Sequence, residues 1–158
     1  MKQEDHIKYM KKAISLAKKS VEKGGGPFGA VIVKDGVVIA RGSNNVTLNN
    51  DPTAHAEVST IRKACKKLAT FDLSGSVLYT SCEPCPMCLS AAYWAHIDKI
   101  YYGCTKEDAK NIGFDDSFIY EQINLKPDKR SIPAINILHD QAVEAFRMWD
   151  GKEDKVEY

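Results

Sequence analysis

The sequence predicts an α/β fold in which helices cover both faces of a mixed central sheet, a three-layer α/β/α sandwich. Strand-like apolar runs alternate with segments of helical period, and strands separated by helices can pair in parallel. Two of the runs flank Asp35-Gly36, a pair typical of an antiparallel hairpin turn. The length of 158 residues suits one core, so residues 1–158 are expected to form a single domain.

The first elements are an expected helix and an expected hairpin. Apolar residues recur at steps of three and four from Ile7 to Val21, which indicates an amphipathic helix. The glycine run at 24–26 ends this helix. Residues 28–33 and 37–40 are rich in β-formers and predict the two strands of the hairpin.

The next segment predicts a polar loop followed by a second helix. Residues 44–50 are polar and loop-like. Asp51-Pro52 is typical of an N-cap followed by proline at the first helical position, so we expect the helix to begin there. Strict helical spacing of apolar residues continues to Leu68.

Seven further elements complete the predicted order. They are strand, helix, strand, helix, a loop passing into a short helix, strand and helix. They are expected at residues 76–80, 86–95, 99–103, 105–111, 113–120, 132–138 and 141–149.

The amino-acid composition argues against two classes of function, nucleic-acid binding and membrane association. Lys plus Arg is 22 and Asp plus Glu is 21, a net charge of +1, whereas nucleic-acid binders usually carry a basic excess, so nucleic acid is not the expected partner. The densest basic run is interpreted as a solvated helix face; it consists of Lys8, Lys11, Lys12, Lys18 and Lys19. No targeting segment and no apolar stretch of about 20 residues is visible, which predicts a cytoplasmic protein without a membrane partner.

Two short stretches carry the chemistry. His55-Ala56-Glu57 and the run P-C-P-M-C at residues 84–88 together match H-x-E followed by P-C-x-x-C, the signature of zinc deaminases. Zinc binds cysteine sulfur and histidine nitrogen, and a catalytic site uses three protein ligands. His55, Cys85 and Cys88 are the predicted ligands. The chain has five cysteines and no secretory signal, which favours metal binding over disulfides.

The spacing predicts how these residues meet. Pro86 suits the first turn of a helix, which places both cysteines at a helix N-terminus, where the dipole favours thiolates. His55 and Glu57 are two residues apart and point to opposite sides of a helix, so they serve one site only off its N-terminal end. Two helix N-termini are therefore expected to face each other across zinc. Two thiolates already balance the charge of the ion, which favours Glu57 as a base rather than a fourth ligand.

A closed structural zinc site is the alternative to a catalytic one. Cys82 precedes Cys85 at the same spacing as Cys88 follows it, so Cys82 is a candidate fourth ligand. Cys65 lies on the apolar face of the second helix and Cys104 ends a predicted strand, so packing is the expected role of both.

Longer segments make a family resemblance visible. Residues 26–31, 50–57 and 80–88 would suit any member of the cytidine deaminase-like superfamily. Residues 113–120 and the tail ending at Tyr158 resemble the small bacterial zinc guanine deaminases of that superfamily. The resemblance implies a cytidine deaminase-like fold. It also implies a homodimer that exchanges its C-terminal segment, so that Tyr158 helps to close the partner's site; a frayed tail is the alternative.

The resemblance further implies residues that bind the substrate or assist the reaction. Asn44, Phe28, Trp94, Tyr158 and the backbone amide of Ala56 are expected to contact the base, and Asp116 to assist at the amino group. Turn capping is the alternative role for Asn44, and core packing for Phe28 and Trp94.

The implied reaction is zinc-dependent hydrolysis of guanine, a small purine base, to xanthine and ammonia. Alternatives are deamination of another base or nucleoside, such as guanosine or cytosine, or of adenosine in transfer RNA. A non-catalytic zinc module is the alternative from another class.

Overall fold

The computed structural model describes residues 2–158, which divide into two compact units, one ending at Asp116 and the other spanning Ser117–Tyr158. The expected single-domain organisation stays a prediction. The first unit holds nine elements in chain order: α1 Gln3–Glu22, β1 Gly29–Lys34, β2 Val37–Ser43, α2 Val46–Asn49, α3 Ala56–Leu68, β3 Ser76–Cys82, α4 Pro86–Trp94, β4 Lys99–Cys104 and α5 Lys106–Asn111. The second unit holds α6 Ser117–Ile123, a 3₁₀ turn Pro127–Lys129 and α7 His139–Asp150.

The sheet of the first unit is mixed, as the sequence predicts. Its strand order is β2-β1-β3-β4. β1 pairs antiparallel with both β2 and β3, and β3 pairs parallel with β4. The parallel pair is joined by α4, in agreement with the rule that parallel strands need a crossover connection.

Helices cover both faces of this sheet, which confirms the three-layer sandwich. Alternate residues of a strand point to opposite faces. Val31 and Val33 of β1 pack with Tyr9 and Ala13 of α1 on one face. On the other face, Ala30 and Ile32 form a second core together with the apolar residues Ile61, Ala64, Leu78 and Ala92 of α3, β3 and α4. α3 and α4 therefore share the face opposite α1.

The hairpin turn has the predicted form. Asp35 and Gly36 have φ angles of 51° and 74°. Two consecutive residues in the left-handed region form the tight turn that matches the right-handed twist of the flanking strands. Asp35 tolerates this conformation better than most side chains, and glycine has no steric penalty there.

The predicted start of the second helix is wrong by several residues. α3 begins at Ala56, with His55 as the N-cap residue, and not at Pro52. The Asp51 carboxylate instead accepts hydrogen bonds from the backbone N–H and the hydroxyl of Thr53, at 2.8 and 2.7 Å. These bonds close a turn before the helix and lower the pKa of Asp51. A short helix, α2, also lies where the sequence predicts only a polar loop.

One predicted strand is absent from the structure. Residues 132–138 form no strand within the described chain and are exposed throughout. Their apolar residues are spaced as in a strand, but a strand needs a hydrogen-bonded partner, and none of the described residues supplies one. The final helix is confirmed as α7, which extends slightly beyond the predicted range at both ends.

Among the described residues, the helices are all too short or too polar to cross a lipid bilayer.

Candidate metal centre

Two helix starts build the predicted site. His55 is the N-cap residue of α3, and Cys85 is the N-cap residue of α4, with Pro86 at the first helical position. Both caps have extended backbone, with φ and ψ of −63° and 156° at His55 and −65° and 169° at Cys85. The prediction that the ligands lie at two helix N-termini is confirmed, and the positive ends of both helix dipoles point toward anionic sulfur.

The distances fit a zinc ion. His55 Nδ1 lies 3.5 Å from the Sγ atom of Cys85 and 3.5 Å from that of Cys88. With Zn–S bonds near 2.3 Å and Zn–N bonds near 2.0–2.1 Å, a tetrahedral ion places nitrogen and sulfur about 3.6 Å apart. The three ligand atoms all lie within 4.8 Å of one another. His55, Cys85 and Cys88 therefore form a candidate zinc site, and Nδ1 is the coordinating nitrogen of the imidazole.

The electrostatics of the thiols favour a cation. The Cys88 thiol and the His55 imidazole beside Cys85 lower the pKa of Cys85 to about 4. The proximity of Cys85, together with burial, raises the pKa of Cys88. The site therefore favours a thiolate at Cys85. A zinc ion displaces thiol protons, since thiolates are the ligands that it binds.

Cys82 is not part of the cluster. Its thiol donates to the carbonyl oxygen of Thr105 at 3.5 Å, and burial raises its pKa to about 11. The set of potential ligands found among the described residues contains His55, Cys85 and Cys88 only. A three-ligand site is the arrangement of catalytic zinc, so the closed structural site with Cys82 is not supported.

The two remaining cysteines lie outside the centre. Cys65, on α3, packs against the core, as expected. Cys104 is exposed at the end of β4, so the expected packing role is wrong for this residue. β4 is an edge strand, and an edge strand leaves its end open to solvent.

Glu57 is buried beside the ligands. Its side chain is in the first turn of α3, and the residue is 4% exposed. Oε1 accepts a hydrogen bond from the Thr80 hydroxyl at 2.9 Å, and Oε2 lies 3.4 Å from Cys88 Sγ. Burial raises the pKa of Glu57, because a charged carboxylate loses its hydration in the interior. A carboxyl group with a raised pKa is suited to taking up and returning a proton.

Asn44 and Phe28 lie together at the edge of the sheet. The backbone N–H of Asn44 donates to the Phe28 carbonyl at 3.0 Å, and Ser20 donates to the Asn44 carbonyl at 3.0 Å. Asn44 Oδ1 accepts from the Val46 N–H at 3.2 Å, which is the turn-capping role that was the alternative for this residue. The Asn44 Nδ2 group has no hydrogen-bond partner within residues 2–158.

Gly26 lies close to both of these side chains. A Cβ atom at this position would lie 3.1 Å from the Asn44 side chain and 3.4 Å from the Phe28 ring. The Phe28 ring meets Phe114 edge to face, with centroids 5.0 Å apart. Aromatic contacts of this geometry are favourable beyond the area that they bury, and this one anchors the 113–116 segment.

The other four predicted site residues lie in four different places. Ala56 is fully buried at the first position of α3, where backbone N–H groups lack intrahelical partners. Asp116 has a raised pKa, caused by partial burial and by the negative charge of nearby Cys85. Trp94 is 65% exposed at the end of α4, which excludes a plain core role, and Tyr158 is 71% exposed in the second unit.

Sequence analysis missed Thr80, Ser20 and Gly26. Their contacts join residues that are far apart in the chain, so local patterns hold no sign of them. Thr80 shares β3 with Ser76 and Ser81, so the sequence of the strand does not single it out.

Comparison with known proteins agrees with this geometry. Residues 3–104 match the family described as cytidine and deoxycytidylate deaminase zinc-binding region. Guanine deaminase of Bacillus subtilis (strain 168) is 51% identical over 155 residues, which are 98% of this chain and 99% of that protein. The tRNA-specific adenosine deaminase of the same organism is 46% identical over 95 residues, 60% of this chain and 59% of that protein.

Solved structures show the same relationship. The X-ray structure of guanine deaminase from Bacillus subtilis has a TM-score of 0.94 at 50% identity, covering 100% of this chain and 99% of that one. Guanine deaminase from Nitrosomonas europaea has a TM-score of 0.66 at 29% identity, covering 89% of this chain and 81% of that one. The zinc-binding region matches well over half of the 158 residues, and the chain therefore belongs to the cytidine and deoxycytidylate deaminase family.

Proposed function

We propose that this protein is a zinc-dependent hydrolase that deaminates guanine to xanthine and ammonia, a step of purine catabolism. The observation that carries the reaction type is the buried carboxyl of Glu57 beside three zinc ligands. The identity of 51% to a guanine deaminase across almost the whole chain supports guanine as the substrate. The tRNA-specific adenosine deaminase matches only 60% of this chain, and the balanced charge of +1 does not favour RNA.

The residues of the chain perform the proton transfers. His55, Cys85 and Cys88 hold the zinc ion, which when bound makes a water molecule acidic enough to react at neutral pH. Glu57 takes a proton from this water and passes it to the ring nitrogen beside C2 of guanine, while the water oxygen adds to C2. Glu57 then takes the second proton, from the new hydroxyl group on C2, and passes it to the amino group; the C2–N bond breaks, ammonia leaves, and the ring becomes xanthine.

Further residues orient the base. The free Nδ2 group of Asn44 can donate to an acceptor of the purine, while Oδ1 is held by Val46. Phe28 offers a ring face, and the Ala56 N–H offers a donor between ligand and base. Asp116, whose pKa is raised, assists at the amino group. Trp94 is assigned to the pocket wall.

The first test is an assay of the zinc-loaded protein with guanine. We expect loss of guanine with release of one ammonia per base, because hydrolysis replaces the one amino group of guanine with oxygen. Guanosine, cytosine and adenine are assayed in parallel as alternative substrates, and a Glu57→Gln variant is the negative control. Absence of guanine turnover in protein that contains one zinc per chain would contradict the proposal; turnover of a nucleoside or of adenosine in transfer RNA would identify the alternative.

We also infer a homodimer in which C-terminal segments are exchanged. The second unit exposes an unusual number of large apolar side chains, which a monomer rarely leaves in water. They include Phe118, Ile132, Ile135, Ile137, Phe146 and Met148. A second copy of the chain would bury them, and the exchange would bring Tyr158 to the partner's site. The cytoplasmic location expected from the sequence stays a prediction.

Mixed dimers test the exchange directly. Coexpression of a Glu57→Gln chain with a Tyr158→Ala chain is expected to restore about a quarter of wild-type turnover, because half of the dimers are mixed and each has one complete site. Each variant alone is expected to be nearly inactive. If Tyr158 acts within its own chain, mixing restores nothing, and a monomer in light scattering would contradict the dimer itself.

A further inference from the structure

A buried hydroxyl lies in the strand that faces Glu57. Leu78 of β3 packs in the core beneath α3, and Thr80, two residues later, points to the same face. Thr80 is fully buried. A hydroxyl in an apolar interior is costly unless it is hydrogen-bonded. Its partner is Oε1 of Glu57, at 2.9 Å.

We propose that Thr80 is a positioning residue that holds one carboxylate oxygen of Glu57, so that the other oxygen faces the metal centre and transfers the proton. This inference rests on the function proposed above, in which Glu57 is the acid–base group. The Thr80 hydroxyl bonds Glu57 and none of the three zinc ligands, so it acts through Glu57.

The two oxygens of Glu57 have different neighbours. Oε1 meets the Thr80 hydroxyl, and Oε2 lies on the ligand side, 3.4 Å from Cys88 Sγ. As a zinc ligand Cys88 is a thiolate and has no proton to donate. Thr80 is then the one side-chain donor to this carboxylate among residues 2–158. The hydroxyl therefore prevents the carboxylate from turning away from the metal centre.

The orientation matters because proton transfer depends strongly on distance. A displacement of about 1 Å at a catalytic group can lower the rate about 100-fold. Loss of the Thr80 hydroxyl would leave the charge and identity of Glu57 unchanged. It would also leave the residues that bind the base in place. The predicted signature is therefore a fall in kcat with little change in KM.

The variants Thr80→Val and Thr80→Ser separate the hydroxyl from the shape of the side chain. In Thr80→Val we expect kcat to fall about 10- to 100-fold with KM within about threefold of wild type. Thr80→Ser retains the hydroxyl and should recover most of kcat. Zinc content should remain one ion per chain in both.

Thr60→Val is the matched control. Thr60 is equally buried and lies on the same helix as Glu57, but its hydroxyl donates to the Ala56 carbonyl at 2.6 Å. The substitution is chemically the same, so any general effect of replacing a buried threonine appears in both variants. We expect kcat of Thr60→Val to stay within about threefold of wild type.

Urea unfolding gives a readout that does not depend on turnover. A double-mutant cycle compares the loss of unfolding free energy in Thr80→Val, in Glu57→Leu and in the variant that carries both changes. If hydroxyl and carboxylate are bonded, each single change leaves a buried polar group unpaired, and the double variant loses less stability than the two losses added together. Should Thr80→Val not fold, Thr80→Ala and Thr80→Ser form a second pair that differs only in the hydroxyl.

The outcomes distinguish this inference from the proposed function. Failure of the wild type to deaminate guanine contradicts the function, and the unfolding cycle then still decides whether Thr80 holds Glu57. An active wild type with an unchanged kcat in Thr80→Val overturns the role of Thr80 and leaves the function intact. Additive stability losses overturn it as well. A lowered kcat that serine fails to restore shows that shape, not the hydroxyl, matters, and also overturns it.

Discussion

Replacement of Glu57 by glutamine is expected to remove nearly all deaminase turnover while the zinc ion stays bound. The amide has almost the shape of the carboxyl group and can still accept the hydrogen bond from Thr80, but it cannot carry a proton at neutral pH. General acid–base groups contribute about 10²–10⁴-fold to a rate. We expect kcat to fall by at least about 100-fold, measured as ammonia release at saturating guanine.

Two controls complete this experiment: the zinc content of the variant, and the same substitution at a second carboxylate. Zinc content should remain at one ion per chain, since Glu57 is not among the three ligands. Glu22→Gln, at the exposed end of α1, makes the same chemical change far from the centre and should leave kcat unchanged. Full turnover in zinc-loaded Glu57→Gln protein would contradict the role of Glu57 as the proton carrier.

Replacement of Cys88 by serine is expected to remove both the metal and the activity. Cys88 is fully buried, and a serine hydroxyl is a poor zinc ligand beside a thiolate and an imidazole. Binding of zinc to the folded state alone adds about 4 kcal/mol of stability when free zinc is about 1,000 times its Kd. We therefore expect a lower zinc content, a lower Tm and no measurable turnover, and we expect chelators to lower the Tm of the wild type toward that of the variant.

Cys82→Ser is the informative control for this prediction. In the structure the Cys82 thiol donates a hydrogen bond to the Thr105 carbonyl and does not belong to the ligand cluster. The variant should keep one zinc per chain, although loss of a buried thiol lowers its stability somewhat. If Cys82→Ser loses zinc as completely as Cys88→Ser does, Cys82 is a fourth ligand, and the open catalytic site is wrong.

Much of the architecture follows from patterns within single elements. The apolar period of α1 and α3, the Asp35-Gly36 turn and the proline at the start of α4 all act within a few residues, and the structure confirms each element. The start of α3 was predicted too early, because the carboxylate of Asp51 bonds Thr53 in a turn rather than capping the helix. Residues 132–138 have the pattern of a strand, but pairing depends on a partner that no local pattern specifies.

The sequence by itself determined which residues form the candidate metal site and on which elements they lie. Two short motifs contain all three predicted ligands. The preference of proline for the first turn of a helix, together with the residue spacing, places these ligands at the starts of two helices. Only the tertiary structure decided which groups surround them. Packing of α3 on β3 buries Glu57 and pairs it with Thr80, and the direction of β3 turns Cys82 toward Thr105, away from the ligands. These outcomes depend on contacts between segments more than 20 residues apart, which helical period, turn chemistry and motif spacing do not encode.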